Sequence, residues 1–199
     1  MSIPPIGFLF KNKEEAIEDM VLKPLLEAYE IVKGDITKTT PENQITKKIV
    51  LKVKKNPYIL PYIDKHFIKI SYRPPEVYED ETVNEPDMAF FIVGKCDFWI
   101  EAKRIYEKST PYTYCGENGL GRFLSGYYSA KDGHAGMIAY IQEGILEDIR
   151  KDIMERVNCC SCKELTEDIE IDNSFSFIHE RCVNGNIKIY HLLFDFVQH

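Results

Sequence analysis

Three charged side chains stand within an otherwise apolar stretch, EPDMAFFIVGKCDFWIEAKR: Asp87, Glu101 and Lys103. Glu101 and Lys103 are two residues apart, so on a strand they project from one face while Ala102 points away. Asp87 opens the apolar run before the tight turn at Gly94-Lys95, and pairing across a hairpin carries it back toward Glu101. Two carboxylates converging beside an ammonium are costly inside an apolar sheet. Asp and Lys are also poor strand formers. The grouping makes chemical sense around a hard divalent cation, because magnesium takes one or two carboxylates together with waters and phosphate oxygens. Such an ion polarises a scissile phosphate and lowers the pKa of a bound water. Lys103 would orient the attacking water and offset charge building on the phosphoryl oxygens. The chemistry implied is phosphodiester hydrolysis with no covalent intermediate.

The elements that must position these groups follow from periodicity. Residues 13–31 place Ile17, Val21, Leu25 and Ala28 on one helical stripe, with Pro24 predicting a kink or a break. Thr40 as N-cap and Pro41 at the first helical position predict a second helix running to about Lys55. HFIKISYR (66–73) alternates as a strand, and the acidic EVYEDETVNE reads as a connection. DMAFFIV (87–93) and CDFWIEAKRI (96–105) form the hairpin. A third helix is expected from near Asn118, a buried strand over 135–142 and an amphipathic helix over 145–157. Strands 174–181 and 187–196 close the chain across Asn184-Gly185-Asn186. This order predicts one α/β domain over residues 1–199, with a mixed central sheet flanked by helices in three layers.

Pro86-Asp87 followed by Glu101-x-Lys103 across a short hairpin resembles the PD-(D/E)XK nuclease superfamily, the restriction-endonuclease-like fold. The order helix, three strands, helix, strand over about 41–142 resembles that superfamily's core, leaving the flanking elements as decorations. GLGRFLSGYYSAKDGHAGMIAYI and FIHERCVNGNIKIYHLLFDF look like bacterial members linked with restriction or antiphage defence. The resemblance implies an endonuclease using Mg2+ or Mn2+, held by Asp87, Glu101 and the Ala102 carbonyl, acting on DNA in preference to RNA. It further implies a glutamate from the preceding helix, for which Glu42 matches best and Glu15 and Glu18 are alternatives. An acidic residue in a first helical turn is also favoured by the helix dipole alone. Two rival readings are an RNA-directed nuclease of the same fold and a nuclease-like structural or recognition subunit of a defence complex.

Beyond the motif, Arg122, Tyr127 and Tyr128 are expected beside the metal. Arg122 could pair with a phosphate, and Asn118, Gly119 and Gly121 could offer it backbone N–H groups. Lys47 and Lys48, in TKKIVLKVKK, are candidate nucleic-acid contacts, although such a run is commonly a solvated helix face. Cys159-x-x-Cys162 and His179-x-x-Cys182 have zinc-like spacings. A spacing of three on a strand sends His179 and Cys182 to opposite faces, which argues against that site. His179 and His191 could flank the active site or simply be buried histidines.

Composition bounds these expectations. A hydrophobic fraction of 44% over 199 residues suffices for one good core. The opening MSIPPIGFLFKNKEEA shows no secretory pattern, and the apolar runs are too short to cross a bilayer. A cytoplasmic protein with reduced cysteines is expected, without a membrane partner. The net charge of −7 opposes strong stand-alone DNA affinity. Targeting is therefore expected from a homodimer or a partner subunit.

Overall fold

The computed structural model describes residues 9–73, 76–77, 83–106, 110–128, 133–160, 162–166, 174–181 and 185–197. The chain begins with α1 (Lys13–Ile17), a π-helical turn over Glu18–Leu22, and α2 (Lys23–Val32). Pro24 lacks an N–H and its ring crowds the carbonyl four residues earlier. The widened turn just before it, in which the Lys23 N–H reaches back to the Glu18 carbonyl, accommodates the proline without a break. Next come α3 (Glu42–Val53), the short α4 (Leu60–Asp64), β1 (Ile68–Tyr72) and a small pair, β2 (Glu76–Val77) and β3 (Val83–Asn84). The hairpin strands are β4 (Met88–Ile92) and β5 (Cys96–Ile105). They are followed by α5 (Thr110–Cys115), α6 (Leu120–Leu124), β6 (His134–Ile141) and α7 (Leu146–Asn158). β7 (Cys162–Thr166), β8 (Ser174–Glu180) and β9 (Asn186–Asp195) complete the sheet.

Seven strands lie in the order β1-β4-β5-β6-β9-β8-β7. β5–β6 and β6–β9 are parallel, and the other pairs in that sheet are antiparallel. Strand alternation divides the interior in two. Phe98, Ile100, Ala102, Ile138, Tyr140 and Phe194 pack with α1–α3 on one face. Trp99, Met137, Ile141, Phe175 and Ile189 pack with α5–α7 on the other. The protein is thus an α/β fold with helices on both faces of a mixed sheet. Among the described residues, no helix is long and apolar enough to cross a membrane.

Several expectations need adjusting. Pro41 rather than Thr40 is the N-cap of α3, so Glu42 is its first helical residue. The Thr40 hydroxyl instead accepts from the Thr37 N–H at 2.9 Å. The helix expected from Asn118 begins at Leu120 and has five residues. α4, α5 and β7 went unforeseen because each is short and has too few apolar repeats to show a period. The connection at 76–84 contains the two-residue strands β2 and β3; residues 78–82 lie outside the described set.

Gly136 on β6 pairs with Ile100 on β5. A Cβ there would come within 3.0 Å of the Ile100 and Phe98 side chains on β5. Gly136→Val should therefore overpack this face and lower stability by about 1–3 kcal/mol. Urea unfolding of the variant tests this, and an unchanged midpoint would show that β5 has slack the geometry does not provide.

Candidate active site

The site arises where one strand outruns its neighbour. The β4–β5 ladder ends at the pair Met88–Ile100, while β5 continues to Ile105 against β6. Pro86 has no N–H to extend the ladder, and the chain turns away. The Ile105 carbonyl accepts from Gln142 N–H on the β6 side. By alternation, the backbone groups of Ala102 and Arg104 face the vacated side.

Buried backbone donors require partners, and two carboxylates supply them. Ala102 N–H donates to Asp87 Oδ2 at 2.8 Å. Arg104 N–H donates to Glu42 Oε2 at 2.8 Å. Asp87 and Glu42 therefore meet along one short strand edge, although they are far apart in sequence. The Ala102 carbonyl shares that edge with its own N–H, as alternation requires.

Glu101 lies one position along, on the face toward α5–α7, and is only 1% exposed. Its Oε1 accepts from Lys103 Nζ at 2.5 Å and from an Arg122 guanidinium nitrogen at 3.0 Å. Its Oε2 accepts from the Tyr128 hydroxyl at 2.7 Å. The same Arg122 nitrogen donates to the Tyr128 oxygen at 2.7 Å, closing a ring of contacts around the carboxylate. This buried charge is thus met by two cations and a hydroxyl.

Asp87 has no such set of counter-charges. Burial and then the neighbouring Glu101 charge push its carboxyl up to about 7, against the opposing pull of the Ala102 N–H and the Lys103 ammonium. Glu42 adds a smaller upward push. Burial first, then Glu101, also holds the Tyr128 hydroxyl well above its ordinary range, so it remains protonated and able to donate.

Glu42 is held by a clasp on the loop before α3. Gln142 Nε2 donates to the Thr37 and Thr40 carbonyls. Gln142 Oε1 accepts from Arg104 Nε at 2.6 Å, and another Arg104 nitrogen donates to the Lys38 carbonyl at 3.1 Å. The clasp joins the end of β6 to the entrance of α3. Beneath it, the Tyr140 hydroxyl meets Thr46 Oγ1 at 3.1 Å, and Thr46 also bonds the Glu42 carbonyl. Tyr128, expected from the sequence beside the site, bonds Glu101, whereas the part of Gln142 was not assigned from the sequence. The visible sign of Gln142 was a polar residue ending the apolar run AGMIAYI.

The remaining candidates are distributed as follows. Arg122 turns inward to Glu101, with its guanidinium 5.6 Å from the rings of both Tyr127 and Tyr128. The N–H groups of Gly119 and Gly121 both donate to the Gly116 carbonyl, so neither is left to meet a phosphate. Lys47 is exposed on α3, while Lys48 reaches the Asp35 carbonyl at 3.2 Å. Glu15 accepts from Lys11 N–H, and Glu18 pairs with Lys23 at 3.4 Å, so both serve the first helix and leave the position to Glu42.

His191 sits in the row Glu101–Met137–His191, two strands from Glu101 with Met137 between them. Its ring stacks on Phe175 at 4.8 Å and meets the Tyr114 hydroxyl at 2.9 Å. Burial pushes its pKa well down, so it is a neutral core residue behind the site. His179 Nδ1 lies 3.0 Å from the Cys160 carbonyl. The Cys162 side chain and Cys182 lie outside the described residues. Among the described residues, no group of three or more His, Cys, Asp or Glu side chains is gathered as a ready cation cage. Neither family models, curated proteins nor solved structures match the chain.

The raised Asp87 carboxyl has a thermodynamic consequence without metal. Its folded pKa of about 7 exceeds the ordinary 3.8, so folding favours the protonated form. This contribution is fully present below about pH 4 and is lost as pH rises through 7. Asp87→Asn should abolish that component. In chelator at pH 8 the variant should be more stable than wild type by on the order of 1–3 kcal/mol. Urea melts at pH 5.5 and 8 measure the difference; a variant less stable at pH 8 would contradict the assigned cause.

Proposed function

We propose that this chain is a metal-dependent nuclease of the restriction-endonuclease-like fold, hydrolysing phosphodiester bonds in DNA. The observation that carries this reading is the meeting of Asp87, Glu101, Lys103 and Glu42 around the vacated edge of β5. The mixed sheet with helices on both faces is compatible with the resemblance in the motif.

The donors fit a hard divalent ion. Asp87 and Glu101 offer carboxylate oxygens, the Ala102 carbonyl faces the same edge, and no soft ligand belongs to this group. Burial first and then the Glu101 charge push the Asp87 carboxyl up, and a cation at this edge would favour its ionised form. Magnesium or manganese bound there would supply Lewis acidity toward the scissile phosphate and acidify a coordinated water.

The protein's own groups have distinct tasks. Asp87 and Glu101 would hold the ion, with Glu101 oriented by Tyr128 and Arg122. The Lys103 ammonium stands where it can direct the attacking water and offset charge on the phosphoryl oxygens. Glu42 adds a carboxylate at the same edge, positioned by the Gln142–Arg104 clasp. Tyr127 is 47% exposed beside Arg122, on the side where a substrate strand would pass. The resemblance of the GLGRFLSGYYS segment suggests restriction or antiphage defence as the setting. The net charge of −7 suggests a second copy or a partner subunit for targeting.

Incubation of purified protein with DNA and RNA, in magnesium, manganese or chelator, tests the assignment. DNA cleavage should require metal, and Asp87→Asn and Lys103→Met should each reduce it by at least about 100-fold while the protein remains folded. Full cutting by either variant would remove that residue from the mechanism. Glu101→Gln should also lose activity, with a loss of stability because Lys103 and Arg122 would then lack their counter-charge.

A further inference from the structure

We infer that the outward face of α3 is the surface that grips the phosphate backbone of duplex DNA, independently of sequence. The inference deepens the nuclease reading by naming how substrate is held beside Glu42. α3 buries Ile45, Thr46, Ile49, Val50 and Val53 against the sheet and α2. Its solvent side carries Lys47, Leu51 and Lys52, and Lys54 and Lys55 continue it into the following turn. Beyond Glu42, the segment from Asn43 to Lys55 contains no acidic residue.

Of the five lysines at positions 47, 48, 52, 54 and 55, only Lys48 forms an ion pair among the described residues, with Asp35 at 3.9 Å. The ammonium groups of Lys47, Lys52, Lys54 and Lys55 make no hydrogen bond or ion pair among the described residues. Elsewhere this acidic chain builds solvated helix faces differently. On α7, Arg156 pairs with Asp152 and Lys151 with Glu155, each one turn apart. The opening of α2 follows the same rule, with Lys23 paired to Asp19. Those are self-neutralised surfaces. The α3 face instead accumulates like charge at neighbouring positions, as in Lys52 and Lys55 three residues apart, which disfavours an isolated helix. An external polyanion removes that repulsion.

The geometry suits a nucleic-acid strand. Lys47 to Lys55 spans roughly 12 Å along the helix axis, enough for about three successive phosphates. The helix begins at Glu42, whose carboxylate sits on β5 beside the Asp87 position. A backbone held along α3 is thereby led toward the candidate metal site. Lysines supply point charges without the bidentate geometry that reads base edges, so this grip carries affinity and no sequence preference.

The test is DNA binding by the full chain in chelator, read by fluorescence anisotropy on a mixed-sequence labelled duplex across a salt series. Replacing Lys47, Lys52 and Lys55 together with Ala leaves the buried face intact and favours helix. The expected result is at least a tenfold loss of affinity at low salt. The slope of log affinity against log salt should also shrink by roughly 2–3. Lys151→Ala with Arg156→Ala on α7 is the control and should leave both quantities unchanged. An unaltered slope in the α3 variant, or no duplex binding by wild type at low salt, overturns the inference. DNA binding through α3 with no cleavage in any metal would sink the nuclease reading alone. Cleavage with a salt slope indifferent to these lysines would sink this inference alone.

Discussion

Every part of the candidate site depends on satisfying backbone donors where β5 runs on beyond β4. A sheet interior tolerates few unpaired N–H groups, since each costs about 1–3 kcal/mol when left without a partner. The chain fills the Ala102 and Arg104 positions with carboxylates rather than with another strand. That choice gathers negative charge where the β4–β5 ladder ends. It also joins a helix terminus, a strand end and the loop before α3 into a single hydrogen-bonded corner. Pro86 fixes where β4 stops, and the Gln142–Arg104 clasp fixes where α3 starts.

The charges in that corner are unequally served. Glu101 is almost fully enclosed, and it has Lys103, Arg122 and Tyr128 as partners. Asp87 has one backbone donor and the more distant field of Lys103, and its carboxyl rises to about 7. A structural ion-pair network would be expected to neutralise itself. Here the cations are concentrated on one carboxylate, while the next is left short of positive charge. A divalent cation at this edge would complete the set, and the proposed function rests on that fit.

Much of this is legible in the sequence. The two-residue spacing of Glu101 and Lys103 requires one shared face, and apolar runs of strand length on either side of Gly94 require a hairpin, whose turn takes the left-handed conformation at Gly94 (φ +73°). Glu42 was a weaker inference, because helix-dipole preference explains an acidic first turn equally well; only the Arg104 N–H contact connects it to the corner. The inward turn of Arg122 was not legible, since it depends on how α6 packs over Glu101. Nor was the Gly116 turn legible, because its carbonyl receives the Gly119 and Gly121 N–H groups through tertiary geometry. The short α4, α5 and β7 escaped for a related reason: their placement is set by neighbouring layers and scarcely by their own periodicity.

The central claim is that the open edge of β5 is a divalent-cation site. Anomalous diffraction from crystals soaked in manganese addresses it without reference to activity. The account predicts one ion within oxygen-ligand distance of Asp87, Glu101 and the Ala102 carbonyl, roughly 2.0–2.2 Å away. It also predicts loss of that density in Asp87→Asn crystals. Manganese bound elsewhere, or an unoccupied edge with Glu101 still enclosed by Lys103, Arg122 and Tyr128 at saturating metal, would contradict it.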